Sequence, residues 1–241
     1  MISLPRRAFA EFIGTAFLVA AVIGSGIAAS NLSPSDHGLE LFENAAVTAA
    51  ALIAIILAVG PVSGAHLNPI VTIADGLLGG VRAREAAGYV GAQILGGMLG
   101  AMVANLMFDL PAIEISTTQR SGSGLLLGEV VATLGLVLVV FGVVRSKRAG
   151  MAAFAVGAYI GAAYFFTSST SFANPAVTIA RTLSNTFAGI APSSVPAFIA
   201  AQLVGGLIVG LLVVRVLYPD AAEIARELLL PHSTEEIDPT R

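Results

Sequence analysis

Long apolar stretches, separated by short polar connections, cover most of the chain. Four of them hold about 20 residues each, the length that a helix needs to cross the hydrocarbon core of a bilayer, about 30 Å thick. Two more stretches are slightly shorter. The six stretches lie at about 8–29, 44–60, 86–108, 125–144, 149–167 and 195–217. This pattern predicts an all-α membrane protein with six transmembrane helices.

The composition agrees with this prediction. Of the 241 residues, 56% are hydrophobic and only 11% are charged, with a mean hydropathy of +0.88. These values are too apolar for a soluble domain of this size. The first stretch is too long for a signal peptide, and it carries Glu11 early. The chain has no cysteine, which excludes disulfides, thiolate metal sites and cysteine nucleophiles.

The basic residues fall mainly on one side of the predicted helices. Ten of the twelve arginines and lysines lie on the side of the two chain termini, whereas Arg120 and Arg181 lie on or toward the other side. By the positive-inside bias we expect both termini in the cytoplasm. Residues 219–241 are expected to form a cytoplasmic tail, with a short amphipathic helix at 221–230.

The chain consists of two halves that carry the same features in the same order. Glu11 and Glu129 lie in the first helix of each half, and Gln93 and Gln202 lie in the third, each in an Ala-Gln pair. Because three spans is an odd number, the two copies lie in the membrane with opposite orientations. The sequence therefore predicts an inverted repeat of three plus three spans. The repeats are about 5–120 and 121–218, within one domain of residues 1–218.

Each half also contains a short apolar segment that begins with Asn-Pro and is too short to cross the membrane. The first begins at Asn68 and the second at Asn174. Asparagine is a strong N-cap and proline suits the first helical turn, so we predict two re-entrant half-helices that start near the midplane. The extended backbone before each of them is tolerated at membrane depth only where it lines protein or water, which predicts a polar path. The residues expected to line this path with backbone groups are Gly64, Ala65, His66, Thr170 and Phe172.

The duplicated motifs resemble those of the aquaporin and glycerol-facilitator family, the major intrinsic proteins. The two copies read Asn68-Pro69-Ile70 and Asn174-Pro175-Ala176, and the resemblance covers about residues 5–218. The family motif is Asn-Pro-Ala, so Ile70 departs from it. The resemblance implies the aquaporin fold and a passive channel for small neutral solutes and water in a lipid bilayer. It also implies a homotetramer, with no enzyme activity, no cofactor and no nucleic-acid partner.

The resemblance assigns roles to the polar residues of the half-helices. It implies that Asn68 and Asn174 donate hydrogen bonds to each passing molecule where the positive ends of two half-helices meet and repel cations. The alternative is a pair of capping residues without a role in the pore. His66 matches a histidine that lines the pore in relatives. It has no second histidine or suitably spaced carboxylate beside it, so we expect no metal site.

The resemblance also bears on the buried polar groups of the spans. Glu11 and Glu129 match carboxylates that accept hydrogen bonds from the re-entrant loops, so we expect structural braces. The alternative is a proton relay in a coupled transporter, because an ionisable group inside a membrane is costly and often functional. For Gln93 and Gln202 we expect hydrogen bonds between helices.

In this family four residues form a selectivity constriction, at fixed distances from the two motif asparagines. Those distances give Thr48, Ala162, Ser171 and Val177 in this sequence. All four are small and uncharged. Water-selective relatives have an aromatic residue, a histidine and an arginine there, and glycerol facilitators keep the arginine with two aromatic residues. Arg181 comes four residues too late for the arginine position, so we expect a solvated or acid-paired surface residue; the alternative is that it reaches the outer vestibule.

An open constriction without arginine or aromatic rings predicts poor selectivity for water and passage of small neutral polyols and hydroxides. Relatives with such filters resemble metalloid channels, so we expect arsenite, antimonite and glycerol to pass, with some water. One alternative is an ordinary water or glycerol channel. Another is a proton-coupled secondary transporter, which also uses inverted repeats. Against it, Glu11 and Glu129 are the only carboxylates within the six main spans.

Overall fold

The computed structural model describes residues 2–145 and 149–218, and all regular structure in these ranges is helical. The first half holds α1 (Leu4–Leu32), α2 (His37–Ser63), α3 (Pro69–Leu77) and α4 (Ala83–Met107). The second half holds α5 (Ser123–Arg145), α6 (Ala152–Phe166), α7 (Pro175–Ala180), α8 (Val195–Leu203) and α9 (Leu211–Leu217). A π-helical segment, Val204–Gly210, joins the last two. Short 3₁₀ turns lie at Ala149–Met151, Arg181–Leu183 and Pro192–Ser194.

The long helices confirm the prediction of an all-α membrane fold. Four single helices and the continuous run Pro192–Leu217 are long and apolar enough to cross a membrane. The sixth span, α6, has only 15 residues but is equally apolar. Lys147, Arg148 and the predicted tail helix at 221–230 lie outside the described residues.

The packing of the helices shows the inverted repeat. In the first half α1 packs along α2 and α4; in the second half α5 packs along α6 and along the π segment with α8 and α9. Contacts between α2 and α6 join the halves, and α3 meets α7 at the centre. We call the side that holds the N-terminus the N-terminal face and the other side the distal face. The loop before α3 enters from the N-terminal face, and α3 leads back to that face. The loop before α7 enters from the distal face, and α7 leads back there.

Both half-helices begin with the capping arrangement that the sequence predicts. The Oδ1 atom of Asn68 accepts a hydrogen bond from the backbone N–H of Ile70, at 2.9 Å. Asn174 Oδ1 accepts from the N–H groups of Ala176, at 3.0 Å, and Val177, at 3.3 Å. Each cap satisfies backbone donors that a helix start otherwise leaves without partners. The two N-termini are therefore fixed close to the centre of the protein.

The large residue in the first motif has space because a glycine faces it. A Cβ atom built on Gly206, in the π segment, would lie 2.2 Å from Cγ2 of Ile70. At the equivalent place in the other half, a Cβ atom built on Gly97 would lie 3.2 Å from Cβ of Ala180 and 3.4 Å from the carbonyl oxygen of Ala176. Gly206 therefore leaves room for the side chain of Ile70, and a residue with a Cβ atom would clash with it.

Candidate functional site

A cavity follows the centre of the bundle, with an empty volume of about 860 Å³ including the adjoining solvent space. It runs along α6 from Ala152 to Tyr164, and at a rise of 1.5 Å per residue this is about 18 Å. Apolar side chains from α1, α2, α5 and α6 form most of one side of its wall, while the re-entrant loops supply polar groups. The polar lining residues are Thr48, His66, Asn68, Tyr164, Ser171, Asn174 and Arg181.

The two loops that lead into the half-helices share an unusual backbone conformation. Ala65 and Leu67 in the first loop have φ angles of 49° and 51°, and the equivalent Ser171 and Ala173 have 51° and 48°. A residue with a side chain pays roughly 1–2 kcal/mol for this left-handed conformation. Four such residues at matching positions indicate that strong contacts hold both loops in shape.

Glu11 supplies those contacts for the first loop. Its carboxylate, fully buried in α1, accepts hydrogen bonds from the backbone N–H groups of His66 at 2.9 Å and Leu67 at 2.6 Å. The Ser63 hydroxyl donates to it at 2.6 Å, and Gln93 Nε2 of α4 donates at 2.8 Å. Hydrogen bonds to an ionised acceptor are the strong ones. The carboxylate thus ties the loop to α1 and α4.

Glu129 makes the same contacts in the second half. It accepts from the backbone N–H groups of Phe172 and Ala173, both at 2.9 Å, and from Gln202 Nε2 at 2.6 Å. Gln202 also donates to the Thr178 hydroxyl of α7, at 2.9 Å. The pairs predicted from the repeat, glutamate with glutamine in each half, therefore meet at equivalent places.

The two motif asparagines are linked crosswise at the centre. Asn68 Nδ2 donates to the carbonyl oxygen of Ala173 at 2.8 Å, and Asn174 Nδ2 donates to that of Leu67 at 2.7 Å. A side-chain amide has two N–H donors, so one donor of each remains for a molecule in the cavity. Both residues line the cavity where two half-helix N-termini meet, and this place favours negative over positive charge.

Three of the four residues predicted for the constriction lie in the cavity wall. Thr48, Ser171 and Val177 are all buried and line the cavity. The Thr48 hydroxyl oxygen lies 3.2 Å from that of Tyr164, a hydrogen bond between α2 and α6. The Ser171 hydroxyl is buried without a partner in the described part of the chain, so it is available to a solute.

The prediction for Ala162 is wrong, because this residue lies exposed on the outer surface of α6 and does not line the cavity. Residues two apart on a helix do not share a face, and Tyr164 occupies the cavity side instead. The predicted position was found by counting back from Asn174 through the irregular loop 167–173. The length of this loop therefore decides which residue of α6 faces the cavity. The cavity wall on the side of α6 therefore contains an aromatic ring.

Thr170 is also misplaced by the sequence. It does not line the cavity, whereas Gly64, Ala65, His66 and Phe172 do. The N–H of Thr170 donates to the carbonyl oxygen of Thr167 in a turn at the end of α6. The chain enters the cavity wall only after this turn.

Arg181 is not the surface residue that the sequence suggested. Its side chain is only 2% exposed and lines the cavity. The guanidinium carbon lies 3.5 Å from the centroid of the Phe172 ring, and Nε donates to the carbonyl oxygen of Ala188. Burial and the neighbouring Arg120 lower the pKa of Arg181 to about 9, so it remains charged at neutral pH. The only sequence signal was its spacing of one turn from Val177.

His66 lines the cavity in the half toward the N-terminal face. Its Nδ1 atom lies 3.1 Å from the hydroxyl oxygen of Thr72, and its ring packs edge-on against Tyr89. Nε2 has no partner among the described residues and is free to meet a solute. In residues 2–145 and 149–218 no three histidine, aspartate or glutamate side chains come together as a metal site.

Comparison with known proteins decides the family. The sequence profile of the Major intrinsic protein family matches residues 1–171. The chain belongs to the major intrinsic proteins. Aquaglyceroporin AqpS of Rhizobium meliloti (strain 1021) is 46% identical over 200 residues, which are 83% of this chain and 85% of that protein. Aquaporin NIP1-1 of Zea mays is 35% identical over 167 residues, which are 66% of this chain and 58% of that protein.

A solved structure agrees on the fold. The aquaglyceroporin from Plasmodium falciparum superposes with a TM-score of 0.71 at 22% identity, covering 91% of this chain and 99% of that one. This member of the major intrinsic proteins is therefore an integral membrane channel that passes small neutral solutes and water passively, and it is not an enzyme.

Proposed function

We propose that the channel favours small hydroxylated solutes, namely arsenite, antimonite and glycerol, over strict selectivity for water. The observation that carries the proposal is the two-sided wall of the cavity at its constriction. Hydroxyl groups of Thr48 and Ser171 line the cavity there, and the apolar side chains of Val22 and Val177 line it without donors. A solute with hydroxyls on an apolar core satisfies both sides at once.

The small side chain of Val177 supports the same proposal. This residue stands three positions after the second motif asparagine, where relatives selective for water or glycerol carry an arginine. A valine is smaller than an arginine at this position and brings no hydrogen-bond donor of its own, which favours solutes wider than single-file water. Arsenous and antimonous acids are neutral at physiological pH and present hydroxyls much as glycerol does. Similarity to a protein named an aquaglyceroporin supports glycerol as a solute.

The central residues have supporting roles in this proposal. Asn68 and Asn174 orient each molecule as it passes the midplane, and the adjoining half-helix N-termini oppose cations. Glu11 and Glu129 act as braces that hold the loops. Both carboxylates are already occupied by backbone and side-chain donors, which speaks against a proton relay.

Stopped-flow light scattering on proteoliposomes tests the proposed solutes. We expect faster entry of glycerol and arsenite than into protein-free liposomes, with some water flow. Val177→Arg should reduce the flux of both solutes, and Ala162→Phe, at an exposed site on α6, serves as the matched control. Water flow with both solutes excluded would refute the proposal. Uptake that depends on a proton gradient would instead indicate a coupled transporter.

We also propose a homotetramer with the 1–218 domain as the channel and both termini in the cytoplasm of a bacterial inner membrane. The exposed apolar side chains of α2, such as Phe42 and Leu57, suit contact with lipid or with a second copy. Because the chain has no cysteine, single introduced cysteines report sidedness directly. Labelling of Ser3→Cys from the outside of intact cells, or a monomer in cross-linking, would contradict these assignments.

A further inference from the structure

The guanidinium of Arg181 is a buried charge without an ionic partner. It forms no ion pair within residues 2–145 and 149–218, and its one hydrogen bond in that part of the chain goes to the carbonyl of Ala188. A buried charge that lacks an opposite charge is costly to the fold. Bracing a loop carbonyl would need no such charge, because a neutral amide also donates.

The side chain of Arg181 returns to the level of the constriction although its backbone lies beyond it. Its position is four residues after Val177, about 6 Å further toward the distal face. Helical side chains lean toward the helix N-terminus, and the guanidinium accordingly stacks on Phe172, which directly follows Ser171 in the loop. The guanidinium and the predicted filter residue Ser171 therefore line the same cavity.

The neighbouring groups do not neutralise this charge. The charge of Glu129 acts on Arg181, but this carboxylate forms no ion pair with it and accepts hydrogen bonds from the backbone of Phe172 and Ala173 instead. Arg120 adds a second positive charge, with its guanidinium carbon 5.1 Å from the centroid of the same ring. The distal end of the cavity is thus positive, and Arg181 is the arginine that lines it.

We propose that Arg181 is the charge-selecting residue of the distal constriction, which excludes potassium ions and protons while neutral solutes pass. Val177 then sets the width, and the arginine from the 3₁₀ turn after α7 supplies the positive charge that α7 itself lacks. The inference rests on the proposed solute pathway through this cavity. It assigns size and charge selection to two different residues.

The chain offers a matched control. Arg120 contacts the same ring and donates to the carbonyl oxygens of Gly189 at 2.8 Å and Phe187 at 3.2 Å, in the loop that Arg181 also contacts. It does not line the cavity. Arg120→Gln therefore removes a brace of this loop without removing the charge at the wall. Arg181→Gln removes both, and Arg181→Lys keeps the charge.

The test measures potassium and proton leak and glycerol flux in the same proteoliposomes, with a voltage-sensitive dye, a pH dye and light scattering. We expect Arg181→Gln to raise the cation leak by about tenfold or more, because a unit charge within a few ångströms acts strongly in a poorly solvated site. Arg181→Lys and Arg120→Gln should exclude cations as the wild type does. Arg181→Met, which keeps an unbranched apolar side chain near Phe172, gives a second neutral variant if the glutamine variant folds poorly.

Cation exclusion that persists in both neutral variants would overturn the inference, as would an equal leak in Arg120→Gln. A wild type that excludes glycerol and arsenite would count against the proposed function. The assignment of Arg181 would still be decided by the leak alone.

Discussion

The hydroxyl of Tyr164 lies 3.2 Å from that of Thr48, and the aromatic ring lines the cavity from α6. Replacing Tyr164 by alanine removes the ring and frees the Thr48 hydroxyl, so longer polyols gain room. We expect Tyr164→Ala to speed xylitol entry into proteoliposomes roughly tenfold, equivalent to a barrier lower by about 1.4 kcal/mol.

The matched control for this change is Ala162→Phe, on the exposed surface of α6. It should leave xylitol and glycerol entry unchanged, since the added ring points away from the cavity. If Ala162→Phe blocked flux and Tyr164→Ala did not alter it, the position of α6 around its own axis would be wrong.

Single residues of the site differ in how far the sequence predicts them. Ser171 and Val177 lie three residues from a motif asparagine within an ordered loop or helix, so counting along the chain brings both to the cavity wall. Tyr164 lies beyond an irregular loop whose length the counting ignored. Arg181 reaches the cavity because its side chain is long and points toward it. Counting residues along the backbone gives no information about either property. Position along the chain was thus predictable, and side-chain reach was not.

Among the elements, α3 carries a buried carboxylate in its last turn, and this group makes the stability of the fold depend on pH. Asp75 is fully buried; Oδ2 accepts from the N–H of Val81 at 2.8 Å, and Oδ1 has no partner in the described residues. Burial raises the pKa of Asp75 to about 7. Below the unfolded pKa of 3.8 the carboxyl is protonated in both states and the folded state has its full stability. As the pH rises through 7, the buried carboxyl must ionise and that stability is lost.

We therefore expect Asp75→Asn to be more stable than the wild type at pH 8, by roughly 1–4 kcal/mol, since each pKa unit corresponds to about 1.4 kcal/mol. The amide keeps an oxygen for Val81 and carries no charge. Thermal unfolding in detergent should show a higher Tm for the variant at pH 8 and a much smaller difference at pH 5. A Tm difference that is equal at both pH values would contradict the buried, proton-sensitive carboxylate.

The helices themselves were predictable because apolar length and Asn-Pro caps are local signals. The π segment Val204–Gly210 was not, since an i→i+5 pattern leaves no mark in hydrophobic spacing. It lies where Gly206 faces Ile70, the residue that departs from the family motif. The unusual residue and the unusual helix therefore occur in one contact, although they are far apart in sequence.

At the scale of the whole molecule, the two halves are joined through their loops. Asn68 bonds to the loop that Glu129 holds, and Asn174 bonds to the loop that Glu11 holds. A change in one carboxylate therefore alters a loop on which the other half depends. The repeat has the symmetry that the sequence predicts, but each half depends on the other for the stability of its loop.

This sharing predicts that the two braces are energetically coupled. Glu11→Gln and Glu129→Gln each place an amide N–H against backbone donors and should each cost roughly 1.5–3 kcal/mol, because a hydrogen bond to a charged group is lost. The loss of unfolding free energy in the double variant should differ from the sum of the two single losses by about 0.5–3 kcal/mol, since residues in one network couple.

Glu11→Gln with Tyr159→Phe is the control pair; the Tyr159 hydroxyl donates to Ala132 and shares no partner with Glu11. Unfolding in mixed detergent measures both cycles, and additive effects of the two glutamates would show that the halves are braced independently.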